Sequence, residues 1–301
     1  MTNKIWVAGD ARSGSTWLAN LINYEARLRF LFEPFHPFNE PRMAPFGPFP
    51  YVRPGSSAPG LEAFVRSVFD KGFESDWSGR FAPPASFDGV LIKCIFSNLF
   101  LGWADQVLPE ARKILLLRHP CAVASSKLFL AGEGWGWETQ AAQFWDRPEL
   151  RADYLLPCES VIRKARDDPF QHYVLCWATL NKVPLQQMRE DRLHVVFYER
   201  LCIDPAGELG RIFRYLGHAS PGSVWEDQRL RSLYDAPSAT SHPGSLNLSV
   251  EERVAGWTRH VGRDATARSM EILAAFGLSH LYSGDPLPIF GAESAHASGL
   301  R

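Results

Sequence analysis

An apolar run, Ile5-Trp6-Val7-Ala8, leads directly into the glycine-bearing loop Gly9-Asp10-Ala11-Arg12-Ser13-Gly14-Ser15. The loop in turn enters Thr16-Trp17-Leu18-Ala19-Asn20-Leu21-Ile22, which reads as a helix. Strand, tight loop and helix start in this order aim backbone N–H groups and the positive end of the helix dipole at one point, an arrangement that suits an anion. The same alternation continues down the chain. Short apolar runs at 5–8, 90–92, 114–117 and 193–197 read as buried strands, with 29–32 a weaker candidate. Helical patterns fall between and after them, at 15–23, 60–71, 96–106, 120–130, 170–188, 205–216 and, last, around 264–276. The expected fold is α/β, a central and mostly parallel β-sheet flanked by helices on both faces.

The loop nearly fits G-x-x-x-x-G-K-[ST], with Gly9, Gly14 and Thr16 in place. Ser15, however, stands where a nucleotide triphosphatase carries its lysine, and the cation is Arg12 in mid-loop. An anion here is expected to be held differently from the phosphates of ATP or GTP; a glycine turn with a solvated arginine is the plainer alternative. Composition removes other classes. With a net charge of −1 over 301 residues, nucleic acid and acidic membranes are not expected partners, and any anion site must be local. Cys94, Cys121, Cys158, Cys176 and Cys202 are scattered and odd in number, which indicates neither a disulfide framework nor a zinc site. No apolar run reaches membrane-spanning length and strand-like sequence begins at Ile5, so the expectation is a soluble cytoplasmic protein.

Two further segments stand out. The run Lys113-Ile114-Leu115-Leu116-Leu117 ends in Arg118-His119-Pro120, and Pro120 opens a helix that carries Ser126 about two turns in. Ligands of open parallel sheets bind at strand carboxyl ends, so Arg118 and Ser126 together suit one phosphate; an ion-pair arginine and a packing serine are the alternative. Residues 33–60 are rich in proline and aromatics, with Phe35, Phe38, Phe46, Phe49 and Tyr51. A loop of that length is read as a lid, a rigid cover on the core, or both.

Taken together, these segments resemble the sulfotransferases that use 3′-phosphoadenosine 5′-phosphosulfate (PAPS) and release 3′-phosphoadenosine 5′-phosphate (PAP). Arg12-Ser13-Gly14-Ser15-Thr16-Trp17-Leu18 is similar to the family's 5′-phosphosulfate loop, and Arg118 through Ser126 to its 3′-phosphate motif. Val195-Val196-Phe197-Tyr198-Glu199-Arg200-Leu201, Asp204-Pro205 and Phe213-Arg214-Tyr215-Leu216-Gly217 resemble a third run late in the domain. The resemblance covers roughly 4–217 and implies a P-loop-type three-layer domain. On that basis 1–290 is expected as one sulfotransferase domain with a C-terminal helical part from 218, and 291–301 as a flexible tail. Phe32-Glu33-Pro34 with His36 close by looks most like the carbohydrate sulfotransferases, with protein-tyrosine sulfotransferases carrying a glutamate at similar spacing.

The resemblance implies roles. Arg12 would meet the sulfonate and the bridging oxygen, Gly14, Ser15 and Thr16 would donate to the 5′-phosphate, Ser13 and Trp17 would be further cofactor contacts, and Arg118 and Ser126 would hold the 3′-phosphate. Glu33 would take the acceptor proton, with His36 as the second candidate base. Lys93, at the end of another strand, is a second cation or a structural ion pair, and Tyr198 an adenine contact or a core tyrosine. Trp135 and Trp137 offer an apolar platform for the acceptor, or core packing. No metal is expected, since arginine and backbone donors can carry the charge of a sulfonate. The alternatives are a P-loop kinase or NTPase, with Glu199 as its acid, a binding module without catalysis, and a sulfotransferase for phenols or tyrosyl peptides.

Overall fold

The computed structural model describes residues 4–81, 86–134, 144–218, 221–240 and 248–289. Trp135, Trp137 and the tail 291–301 lie outside the described residues.

Alternation of side chains along each strand builds two cores, one on either side of a single sheet. The strands are β1 (Lys4–Gly9), β2 (Leu28–Phe32), β3 (Gly89–Cys94), β4 (Arg112–Leu117) and β5 (Leu193–Phe197), all parallel and ordered β2-β3-β1-β4-β5. Trp6 and Ala8 of β1 face one core with Val90, Ile92, Leu115 and Leu117. Ile5 and Val7 face the other with Leu91, Ile114, Leu116 and Val196. Sheets buried on both faces need such continuous apolar strands, which is why these five runs were legible.

Helices cover both faces. On the Ile5/Val7 side lie α1 (Ser15–Ile22), α7 (Tyr198–Ile203), α8 (Pro205–Tyr215) and α9 (Gln228–Asp235). On the Trp6 side lie α2 (Pro59–Val68), α3 (Leu101–Val107), α4 (Pro120–Gly132), α5 (Glu159–Ala165), α6 (Pro169–Gln187) and α11 (Arg263–Ala275). A short α10 (Val250–Ala255) packs beside α7. Helix starts follow the local chemistry. Asp168 and Asp204 accept N–H bonds at the starts of α6 and α8, each followed by proline at the first helical position. At the end of α8, Gly217 adopts φ +85°, and His218 N–H reaches back to Phe213 O at 2.9 Å. The family-like Phe213–Gly217 run is thus a helix terminator.

Two helices that the sequence pattern did not announce, α9 and α10, follow Gly217. Both are short, and α10 shows only one buried apolar residue, Val254. Its signal was a capping box: Ser249 accepts the Glu252 N–H while the Glu252 carboxylate accepts the Ser249 N–H.

The proline-rich segment is part of the core. Phe35 stacks on Trp6 with centroids 5.0 Å apart and meets Phe64 and Phe100 edge-on, while Met43 and Phe49 are buried as well. A helical turn at Pro41–Phe46 shapes it, capped by Glu40. Phe35→Ala should therefore destabilise the fold by about 3–5 kcal/mol, measured by denaturant unfolding; a change below about 1 kcal/mol would mean that the segment merely overlies the sheet.

Candidate active site

The carboxyl ends of all five strands converge on one edge, and Arg12, Glu33, Lys93, Arg118 and Tyr198 lie there, with Ser15, Thr16 and Trp17 on α1 and Ser126 on α4. Strand order places β1 between β3 and β4, so the connections from β1 and β4 leave in opposite directions and open a crevice above Gly9. The Gly9–Ser15 loop crosses it. Gly9 has no room for a Cβ, which would meet Leu116 O at 2.9 Å, and Gly14 takes φ +93° with the Tyr198 ring against it at the same distance. The first intrahelical bond of α1 is Leu18 N–H to Gly14 O, leaving the N–H groups of Ser15, Thr16 and Trp17 ahead of the helix ladder and available to an anion.

A buried ion pair absent from the sequence reading anchors this loop. Lys127 Nζ lies 2.7 Å from both carboxylate oxygens of Asp10, and Ala11 N–H donates to the same carboxylate. Both residues are almost fully buried. Ser13 is turned inward too: its hydroxyl and its N–H both go to Asp10 O, so its donors close the loop. A phosphate contact from Ser13 finds no support in this geometry.

Arg12 adopts a left-handed φ of +68°, costly for a side chain by roughly 1–2 kcal/mol. The turn points its guanidinium across to α4, where Nε donates to Ser126 Oγ at 3.1 Å and Nη1 to Thr240 O at 2.8 Å. Burial and the neighbouring Arg118 charge push the Arg12 pKa down. Ser126 is bonded to Arg12, while Arg118 donates to the carbonyls of Arg12 and Arg253. Its Nε is buried without a partner, and its guanidinium lies over the Tyr198 ring at 4.4 Å. An orphaned buried donor of this kind suits an anion.

Two clefts meet at this loop. The first, about 180 Å³, is lined by Arg12, Gly14, Trp17, Arg118, Tyr198 and, from the C-terminal part, Tyr234, Ser238 and Arg253. Trp17 packs between Tyr198 and Tyr234, at 5.6 and 5.3 Å, and donates its indole N–H to Tyr234 O. The second, about 640 Å³, holds Arg12, Ser15, Thr16, Glu33, His36, Lys93 and an aromatic wall that includes Phe32, Trp77 and Phe96. Arg12, Gly14 and Thr240 line both. Tyr234, Arg253, Trp77 and Arg80 were missed by motif reading because their positions follow from packing rather than from local pattern.

In the second cleft, Lys93 Nζ and Glu33 Oε1 are 2.5 Å apart, both almost fully buried. Glu33 sits at φ +48°, held by its N–H to Lys93 O and by His36 N–H to its own carbonyl. His36 accepts the N–H groups of Phe38 and Asn39 on Nδ1, both at 3.2 Å. Burial pushes its pKa below the usual histidine value. His36 Nε2 lies 3.1 Å from the Asn39 side-chain nitrogen, so both ring nitrogens are engaged by residues of the same loop.

In the third family-like run Tyr198 lines the first cleft, while Glu199 serves the scaffold. Glu199, fully buried, accepts His119 N–H at 2.7 Å and the Tyr282 hydroxyl at 2.9 Å, and burial pushes its pKa up. It fixes the Arg118–Pro120 corner and is not poised as a metal-binding acid. His119 caps α4 and stacks on Trp257 at 4.3 Å, its pKa pushed down to about 4 by burial.

Over residues 4–221 the chain matches the model described as the sulfotransferase family. Similar solved structures include a sulfotransferase domain from the curacin biosynthetic pathway, 16% identical with a TM-score of 0.47, over 91% of this chain and 97% of that one. A mouse sulfotransferase complexed with PAP is 13% identical with a TM-score of 0.46, over 92% and 85%. A sulfotransferase from Alicyclobacillus acidocaldarius is 16% identical with a TM-score of 0.41, over 91% and 96%. No curated protein sequence matches the chain.

Removing one partner of the Asp10–Lys127 pair leaves a buried charge uncompensated. Asp10→Ala should cost about 3–5 kcal/mol of stability, and Lys127→Met in the same background should recover part of it; additive losses in this double-mutant cycle would show that the two side chains do not depend on each other.

Proposed function

Because the chain belongs to the sulfotransferase family, we propose that it transfers the sulfonate of PAPS to a carbohydrate hydroxyl, with Glu33 as general base. The observation that carries this reading is Arg12, the cation shared by the two clefts at the start of α1. The nucleotide belongs in the cleft with Trp17, Tyr198 and Tyr234, whose rings suit a base, and with Arg118 and Arg253, whose charges suit phosphates. When bound, PAPS supplies an activated sulfonate. The N–H groups of Ser15, Thr16 and Trp17 hold its 5′-phosphate. Arg12, already oriented by Ser126 and Thr240, faces the charge that develops during transfer.

On the other side the acceptor hydroxyl loses its proton to the Glu33 carboxylate. Lys93 holds that carboxylate in place and keeps it from folding out of the cleft. Both ring nitrogens of His36 are engaged by Phe38 and Asn39, which favours Glu33 for the base role. The aromatic wall offers flat faces to a sugar ring. Since Tyr234 and Arg253 complete the donor cleft, the helices after residue 218 belong to the same catalytic domain as the sheet. Among the described residues no helix is long and apolar enough to cross a membrane.

Two outcomes follow. PAP should bind far more tightly than 5′-AMP in calorimetry, and Arg118→Ala should remove about 2–5 kcal/mol of that preference; equal affinities in the wild type would overturn the donor assignment. With p-nitrophenyl glycosides as acceptors, Glu33→Gln should lower turnover about 100-fold or more while PAP affinity stays as it is. Normal turnover in that variant would remove the base from this loop.

A further inference from the structure

The aromatic end of the second cleft holds a cation that the transfer chemistry does not use. The Arg80 guanidinium lies 3.8 Å from the Trp77 ring centroid, 4.0 Å from that of Phe32 and 5.5 Å from that of Phe81. Its backbone is placed by the sheet, since Phe32 N–H donates to Ser78 O at 3.0 Å and ties this segment to the edge of β2. Arg80 therefore stands one strand residue from Glu33, on the wall of the same cleft.

The charges in this cleft do not balance. Lys93 is matched by Glu33 at 2.5 Å, burial holds the His36 pKa below its usual value, and Arg12, shared with the donor cleft, is engaged by Ser126 and Thr240. Among the described residues no carboxylate is in ion-pair contact with Arg80; the acid whose field reaches it is Glu33, already bonded to Lys93. A guanidinium lying over aromatic rings is held in few orientations, loses part of its hydration and keeps N–H donors for a planar anion. Arg80 is solvent-exposed, so those donors are open to a ligand in the cleft.

We propose that Arg80 recognises an anionic substituent, a carboxylate or a sulfate ester, on the ring of the acceptor, so that this enzyme selects acidic sugars over neutral ones. The inference rests on the sulfotransferase reading with a sugar-like acceptor. The substituent approaches Arg80 while the neutral hydroxyl to be sulfonated lies at Glu33, where a second anion would be repelled. Recognition therefore also sets which hydroxyl of the ring reacts.

The test compares p-nitrophenyl β-glucoside with the matching β-glucuronide and with the glucoside 6-sulfate, by calorimetry on the enzyme–PAP complex and by transfer from PAPS. At least one acidic glycoside should bind about tenfold or more tightly than the neutral one, and which one identifies the group recognised. Arg80→Gln should bring the acidic and neutral ligands to equal affinity, mainly through KM, and Arg80→Lys should restore part of the difference. PAP affinity reports separately on the donor site and on folding. Failure of the wild type to bind PAP would strike at the sulfotransferase reading itself. With PAP bound, equal affinity for the three glycosides, no binding of any, or an unchanged preference in Arg80→Gln would each overturn the role of Arg80.

Discussion

The buried pair of Asp10 and Lys127 is the contact on which the site depends. It joins the loop after β1 to α4, two segments more than a hundred residues apart in sequence. Arg12 follows Asp10 by two residues and Ser126 precedes Lys127 by one, so the ion pair brings the arginine and the serine within hydrogen-bond reach. A buried charge pair offers little net stability against an apolar substitute, but its directionality fixes register. Here the register is that of an anion-binding loop against the helix across the crevice. Arg12 can then hold an unfavourable left-handed backbone, because Ser126 and Thr240 engage its guanidinium.

Around this pair the site is divided by chemistry. The first cleft is basic and aromatic, with Arg118 against Tyr198 and Trp17 between two tyrosines. The second places a carboxylate, an ammonium and an imidazole beneath a wall of phenylalanine and tryptophan. The two non-glycine residues in left-handed backbone in this region, Arg12 and Glu33, both carry charged side chains that line the clefts. Local strain of this kind is sustained only where surrounding contacts over-determine the conformation. For Glu33 those contacts are the Lys93 side chain and backbone and the His36 N–H.

Parallel strands were readable because burial on both faces makes them nearly continuous apolar runs, and even the weaker one at 29–32 is a strand, β2, at the sheet edge. Long helices with proline after a capping aspartate were equally plain. The region after Gly217 was not, because α9 and α10 are too short to show a period, and only the Ser249/Glu252 box marked one of them. The proline-rich segment carried both readings in its composition; Phe35 against Trp6 shows the packing, which no local pattern encodes. Glu199 was ambiguous in a different way, since a carboxylate after a strand can serve as an acid or, as here, bind a backbone N–H and a tyrosine hydroxyl.

By itself the sequence determined the sheet, the strand–loop–helix start, the family and a minority of the residues that line the two clefts, because each rests on short-range pattern: periodicity, glycine placement and caps. Tertiary structure alone decided which of those residues meet. It bonded Arg12 to Ser126, turned Ser13 into the loop, joined Glu33 to Lys93 and engaged both ring nitrogens of His36. It also brought Arg253 and Tyr234 to one cleft and Arg80 to the other. Side-chain partners separated by tens to hundreds of residues are selected by burial, since a charge or donor taken out of water must find whatever counterpart the packed chain places beside it.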